Sequence, residues 1–533
     1  MSDREEQLQY QELGPFEVKN KLIAMAGDNS ERMMLNAGRG NPNWVAIEPR
    51  YAFIEMNAFA MHEAERHIFH PNIGGTPEEE GIVDRFYEYL DKRGDAPGID
   101  MLRKSLVYIE KEAELDPAKF ITEMADAILG DHYPVPDRML ECSERIVGRY
   151  LYQEMAGKVR NPGKFDIFAT EGGTAAMTYI FQTLMENKLM KKGDKVALGV
   201  PIFTPYLEIP ELNNFEFVEM GVAQTAESGW KYSPEEIEKL ADPSIKAFFL
   251  VNPSNPTSVA MHPETLALIR DLVETRRQDL IILTDDVYGT FVNGFQSLAA
   301  VAPRNTILVY SYSKYFGATG WRLGTIAIAE DNMLDDMLQA LPEGEKSEIH
   351  ERYKPVFLEP NDSKLIDRMV ADSRTVALNH TAGLSTPQQV QMVMFSLFCL
   401  LDKEGVYKQH CQNICQTRYR SLFKALGHEP PVNPYNAFYY TTIDVPAIAE
   451  ERYGTEFREH LVNDFPPIDI VWRLAKEKSV VLMDGSGFAA PNMTVRVSLA
   501  NLKEDAYPHI GQAISELLDE YHADWQKGQG GAN

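Results

Sequence analysis

Between Lys164 and Gly324 the chain alternates short apolar runs with amphipathic stretches, and this constrains the fold more than any other feature. The runs are FDIFAT, DKVALGV, IKAFFLV, LIILT, TILVYSYS and GTIAIA, several of them apolar throughout. A strand covered on both faces reads this way, whereas a half-exposed strand alternates. The stretches between them, such as GGTAAMTYIFQTLMENKLMKKG and PETLALIRDLVETRRQ, have helical periodicity. Strand, helix, strand, helix implies βαβ units and an α/β fold around a mostly parallel sheet. The last hundred residues differ in texture. They mix short strands (FYYTTIDV, VVLMDG, TVRVSLA) with helices (EDAYPHIGQAISELLDEYHADW) and read as a smaller α+β unit.

A chain of 533 residues corresponds to about three units of ordinary domain size. Residues 1–75 read as an N-terminal arm with part of a small domain, 76–405 as a large domain, and 406–533 as a C-terminal small domain. The large domain carries a helical insert at about 77–130 and a charged insert at about 335–375. The net charge of −27 argues against a nucleic-acid backbone or an anionic membrane as main partner. It leaves room for a local basic pocket for a small anion. Four cysteines are too few for a disulfide framework. Cys411 and Cys415 follow His410 on a predicted helix, but no second ligand pair stands at zinc spacing, so no metal is expected. The acidic start MSDREEQLQYQEL has no apolar core of a signal peptide, and runs such as MVMFSLFCLL are too short to span a bilayer. We expect a soluble cytoplasmic protein.

The strongest chemical signal is SYSKYFGATGWRLG at 311–324. A surface lysine at a strand end would account for Lys314, but not for Ser311, Ser313, Gly317, Gly320, Arg322 and Gly324 around it. A site that holds a phosphate beside a reactive amine uses all these types. Arginine pairs with the dianion, hydroxyls bond to it, and glycines let the backbone approach. Upstream, VNPSNPTS at 251–258 carries Asn255 and ILTDDVYGTF at 282–291 carries Asp285 and Tyr288. The steps of 30 residues to Asp285 and 29 to Lys314 suit successive βαβ units. TEGGTAAMTYIF at 170–181 reads as a strand end, two glycines and a helix start. Gly172, Gly173 and Thr174 would offer donors to an anion there. Near the C-terminus, NMTVRVSLAN sets Arg496 on an apolar strand, where a guanidinium must find an anion.

Together these motifs resemble the aspartate aminotransferase superfamily, the fold-type-I enzymes that use pyridoxal 5′-phosphate. The resemblance implies a large cofactor-binding domain with a mostly parallel seven-stranded sheet between helices, and a smaller α+β domain. It implies a Schiff base on Lys314, Asp285 on the pyridine nitrogen, and Asn255 and Tyr288 on the phenolic oxygen O3′. Ser311, Ser313, Arg322 and the 172–174 turn would hold the phosphate. Phe203, in VPIFTPYLE, would stack on the ring, or is a core phenylalanine. GDHYPVPDRML resembles the segment whose tyrosine, here Tyr133, reaches the phosphate of a neighbouring subunit, which would make the active unit at least a dimer. Arg496 would grip the substrate α-carboxylate.

That grip sets the Cα–H bond, rather than the bond to the α-carboxylate, across the ring plane, and so favours proton removal by Lys314. A ketimine then leads either to transamination or, with a β-carboxylate present, to its loss as CO2. The chain is much longer than a typical superfamily member. Its inserts and LNAGRGNPNW at 35–44 resemble the aspartate β-decarboxylases over essentially the full length. That resemblance implies conversion of L-aspartate to L-alanine and CO2, side transamination with a keto acid, and a homo-oligomer built from dimers. Arg39, between Gly38 and Gly40, could face the β-carboxylate or be a surface arginine in a glycine-rich turn. Arg374, near NHTAGLSTPQQ, is another candidate. A dicarboxylate or alanine aminotransferase would share every cofactor residue. A regulator that kept the fold would carry a basic DNA-binding segment, and the N-terminus here is acidic.

Overall fold

The computed structural model describes all residues except 1–2, 11–12, 28–33, 67–69, 160–162, 204, 207–215, 227, 375–381, 430–431 and 531–533. In chain order the strands are β1 (Leu35–Asn36), β2 (Phe165–Thr170), β3 (Lys195–Val200), β4 (Val218–Thr225), β5 (Lys231–Tyr232), β6 (Ile245–Val251), β7 (Ile281–Asp285), β8 (Thr306–Ser311), β9 (Gly324–Ala329), β10 (Tyr440–Asp444), β11 (Val480–Val481), β12 (Met483–Asp484) and β13 (Thr494–Ser498). The large sheet runs β2-β9-β8-β7-β6-β3-β4-β5. Pairing is parallel from β8 through β4. Strand β9 is antiparallel to both β8 and β2, so β2 points the same way as the parallel set.

The seven expected strands are present, and a two-residue eighth, β5, adds antiparallel to the edge strand β4. Strands β6 to β9 are buried at nearly every position. That is why they read as unbroken apolar runs. Strand β4 is half exposed, and its sequence VEMGVAQT lacks such a run.

Strands β10, β13 and β12 form a small antiparallel sheet. The N-terminal strand β1 pairs in parallel with β11, and Val18, Leu22 and Ala26 bury against the core that holds Tyr507, Ile514 and Leu518. The start and the end of the chain thus share one hydrophobic core, and that core brings the segment after β1 to the functional site.

Residues 77–130 hold helices Ile82–Arg93, Ile99–Lys111 and Pro117–Leu129. The last starts at Asp116, whose side chain accepts from Ala118 N, and ends at the left-handed Gly130. The insert is tied to the helix Glu48–Glu65 through charge. Arg93 pairs with the buried Glu55 at 2.6 Å, and Arg85 pairs with the buried Glu63 at 2.7 Å. Tyr89 also donates to Glu55. Residues of the apolar run at 392–401 lie in the helix Thr386–Leu401, which is buried on most of its surface. All four cysteines are free and buried. No helix among the described residues is long and apolar enough to cross a membrane.

Candidate active site

Strands β2, β3, β6, β7 and β8 point the same way, so the loops after them meet along one edge of the large sheet. In an open α/β sheet that edge is where ligands bind. A cavity of about 180 Å³ lies there. It is lined by Gly173 and Thr174 after β2, Phe203 and Tyr206 after β3, and Asn255 after β6. Asp285 and Tyr288 at the end of β7, and Ser311, Ser313, Lys314 and Arg322 around and after the end of β8, complete the wall. Ten of the residues singled out in the sequence therefore face one another across a single space. Gly172 sits just behind them as the N-cap of the helix Gly173–Glu186. Its φ is 98°, and a Cβ there would stand 2.3 Å from Arg322 Nη2, so no side chain fits between turn and guanidinium.

Asp285 is buried, and its neighbours define its charge. Tyr206 Oη donates to Oδ2 at 2.5 Å and Val287 N donates to Oδ1 at 3.1 Å. Burial raises its pKa to about 6, against these two hydrogen bonds and the positive charge of Lys314. A cationic N–H donor in the cavity would hold it ionised. Tyr288 Oη donates to Tyr440 Oη at 3.1 Å, and burial pushes the Tyr288 hydroxyl well up.

Lys314 occupies the turn after β8. Its Nζ donates to Gly40 O at 3.2 Å, and Tyr439 Oη donates to the same oxygen at 2.8 Å. Ser311 and Ser313 share a hydrogen bond of 2.9 Å beside it. The N-terminal segment clasps this turn. Ala46 N and the Arg50 guanidinium donate to Phe316 O, and Arg50 also reaches Gly317 O. Gly317 has φ 60°, and a Cβ there would lie 1.9 Å from Trp44 O. Arg322 itself takes a left-handed backbone conformation, φ 56°. Such strain is usually held by its surroundings at functional positions.

Arg496, on β13, is fully buried. Its Nη1 donates to Asn255 Oδ1 at 3.1 Å, and its Nη2 donates to Gly38 O at 2.9 Å and to Met483 Sδ at 2.7 Å. The guanidinium lies between the rings of Tyr440 and Phe488, 4.4 and 4.8 Å from their centres. Its Nε has no partner among the described residues. No carboxylate pairs with it there, so its charge is met only by dipoles and rings.

Gly38 follows β1 and is buried, whereas Arg39 is exposed. Next to Gly38 stands Lys19, whose pKa is lowered first by burial and then by the positive charges of Arg39 and Arg496. Two sequence candidates lie apart from this group. Tyr133 is 60% exposed and lines no part of the cavity. Arg374 is buried over the Phe168 ring and donates to Ser373 Oγ and Asp137 O. Part of the neighbouring segment, 375–381, lies outside the described residues. Sequence reading passed over Tyr206, Tyr439, Tyr440 and Lys19. Tyr206 stands three positions after Phe203, and a hydroxyl-bearing aromatic following that ring was the available signal. Among the described residues no cluster of His, Cys, Asp and Glu could hold a metal.

The family model for aminotransferase class I and II matches residues 166–514. The chain belongs to this family. As a class I and II aminotransferase family member it has a long relative in a Pseudomonas species, named a bifunctional aspartate aminotransferase and L-aspartate beta-decarboxylase. The two are 49% identical over 516 residues, 96% of this chain and 97% of that protein. An aspartate aminotransferase of Bacillus subtilis is 22% identical over 66% of this chain and 76% of its own length. Among solved structures, a mutant aspartate aminotransferase of Thermus thermophilus superposes with a TM-score of 0.60 at 17% identity, over 97% of this chain and 99% of that one. That likeness concerns the fold.

Proposed function

We propose that this aminotransferase-family chain removes the β-carboxylate of L-aspartate as CO2 and releases L-alanine with the help of pyridoxal 5′-phosphate, and that it transaminates aspartate as a side activity. The observation that carries the reading is the pair of cationic positions around Gly38. Arg496, buried and without a carboxylate among the described residues, donates to Gly38 O, and Lys19 packs against Gly38 within reach of the charges of Arg39 and Arg496. That arrangement suits a substrate with two carboxylates. The name of the Pseudomonas relative supports the same reaction pair.

The residues fit the cofactor. The Gly173 helix start, Thr174, Ser311, Ser313 and Arg322 offer neutral and charged donors to a phosphate. Asp285, buried with two neutral donors, suits a protonated pyridine nitrogen. Asn255 and Tyr288 suit O3′, and Phe203 suits a ring face. When bound, pyridoxal phosphate supplies an electron sink for bonds at the substrate amino carbon.

The chain's own residues do the rest. Lys314 would hold the cofactor covalently, and its amine, once free, would take the Cα proton, relay it and later return one to Cα. Arg496 binds the α-carboxylate through two nitrogens and so aims Cα–H at Lys314. Lys19 and Arg39 orient the distal carboxylate. Arg39 is exposed, so its grip is screened by water. That weakness serves the reaction, because a tight pair would stabilise the very charge that must leave with CO2. With a keto acid present, the same residues return the amino group to it, which is transamination.

Self-association belongs to this proposal. The helix Glu48–Glu65 and the residue before it expose an apolar stripe, Ile47, Tyr51, Ile54 and Met61, at 60, 42, 57 and 49%. Residues spaced four, three and seven apart share one helix face, and a face this apolar suits a second copy of the chain. Tyr133, exposed in the single chain, suits contact with a neighbouring subunit's phosphate group. The test of the reaction is aspartate carrying a carbon label in its β-carboxylate. Label appearing in CO2 supports decarboxylation; label found solely in oxaloacetate makes the chain a plain aminotransferase.

A further inference from the structure

If the chain releases CO2 from aspartate, the reading this inference rests on, then Cβ must receive a proton after the carboxylate leaves. The donor must lie inside the site and carry a transferable proton. It must also be distinct from Lys314, whose amine is neutral once it has relayed the Cα proton. Tyr440 meets these conditions. It is buried, its hydroxyl accepts from Tyr288, and among the described residues its own proton has no acceptor. Tyr439, beside it, has spent its proton on Gly40 O. A Cβ built on Gly40 would stand 2.5 Å from Tyr440 Oη and 3.1 Å from Lys314 Nζ, so hydroxyl and amine approach the same point. The ring of Tyr440 lies 4.4 Å from the Arg496 guanidinium, the group that would anchor the α-carboxylate.

We propose that Tyr440 is a catalytic residue that delivers the proton to Cβ. The bond between Cβ and the carboxylate carbon breaks, CO2 departs, and the electron pair stays with Cβ. The O–H bond of Tyr440 then breaks toward Cβ and makes the methyl group of alanine. The phenolate, steadied by the Arg496 charge beside its ring, regains its proton from water, so each CO2 consumes one proton overall.

The test uses the holoenzyme and Tyr440→Phe, with three readouts: CO2 from L-aspartate, exchange of the alanine Cα proton in deuterium oxide, and affinity for succinate. A general acid contributes about 10²- to 10⁴-fold. The variant should therefore lose at least about a hundredfold in CO2 release while succinate affinity and Cα exchange stay within about threefold. Wild-type enzyme releasing CO2 and Tyr440→Phe matching it would overturn the role of Tyr440. So would a variant in which succinate binding and Cα exchange collapse along with CO2 release, since that marks a structural part. Wild-type enzyme that binds succinate and exchanges alanine but releases no CO2 overturns the decarboxylase reading itself.

Discussion

Arg496 reaches from the small sheet to Asn255 in the turn after β6, Nη1 to Oδ1 across 3.1 Å, and joins the two sheets at the site. The same guanidinium holds Gly38 O at 2.9 Å. A planar fork can serve both and still present Nε, whereas an ammonium is a single point. Arg496→Lys should therefore lower kcat/KM for aspartate and for alanine exchange alike, by about 3 kcal/mol or on the order of a hundredfold. Steady-state kinetics on both substrates checks this.

Lys19 and Arg39 are assigned to the distal carboxylate, which alanine lacks. The double substitution Lys19→Ala, Arg39→Ala should reduce kcat/KM for aspartate by about tenfold or more and leave alanine Cα exchange unchanged. Equal effects on both amino acids would remove these residues from the distal pocket.

Much of this site was legible because its parts are local. Lys314, Asp285, Asn255 and the 172–173 glycines each sit at the end of a buried strand whose apolar run announces it, and strand direction gathers those ends. What was not legible depends on distance in the chain. Tyr440 and Tyr288 are 152 positions apart, and Lys19 meets Arg39 and Arg496 because the chain start packs into the C-terminal core. No periodicity encodes such meetings. Tyr206 was hidden for another reason. A tyrosine in a loop is as often packing as chemistry, and its bond to Asp285 marks it out. Strand β5 has two residues, too few for any pattern, and β4 exposes one face. Arg374 read as a pocket arginine, yet its guanidinium lies over Phe168, with hydrogen bonds to Ser373 and Asp137.

Asp286, next to Asp285, is fully buried. Thr284 Oγ1 donates to its Oδ1, and the Ser297 hydroxyl also bonds to the carboxyl group. Burial raises its pKa from 3.8 to about 7. The folded state thus binds a proton that the unfolded state has released, so stability is greatest below about pH 4 for this group and is lost as pH rises to 7. The loss is on the order of 4 kcal/mol. Asp286→Asn removes this contribution. Urea unfolding of cofactor-free protein at pH 5 and pH 8 should show a smaller fall in stability for the variant than for the wild type. Equal falls would contradict a buried proton at Asp286.

The stripe on the helix Glu48–Glu65 predicts an assembly mutant. Ile54→Asp places a charge where an apolar contact is proposed and should shift the protein toward smaller species in sedimentation velocity, with a folded circular dichroism spectrum retained. An unchanged sedimentation coefficient would remove this face from the interface.

The most direct test of the central claim follows CO2 and alanine together. Purified protein is loaded with pyridoxal 5′-phosphate and given L-aspartate without any keto acid. Many turnovers are expected, with CO2 and alanine in equal yield, and loss of both in Lys314→Ala. Oxaloacetate equal to the enzyme concentration, with no CO2 and with turnover restored by adding a keto acid, would contradict it.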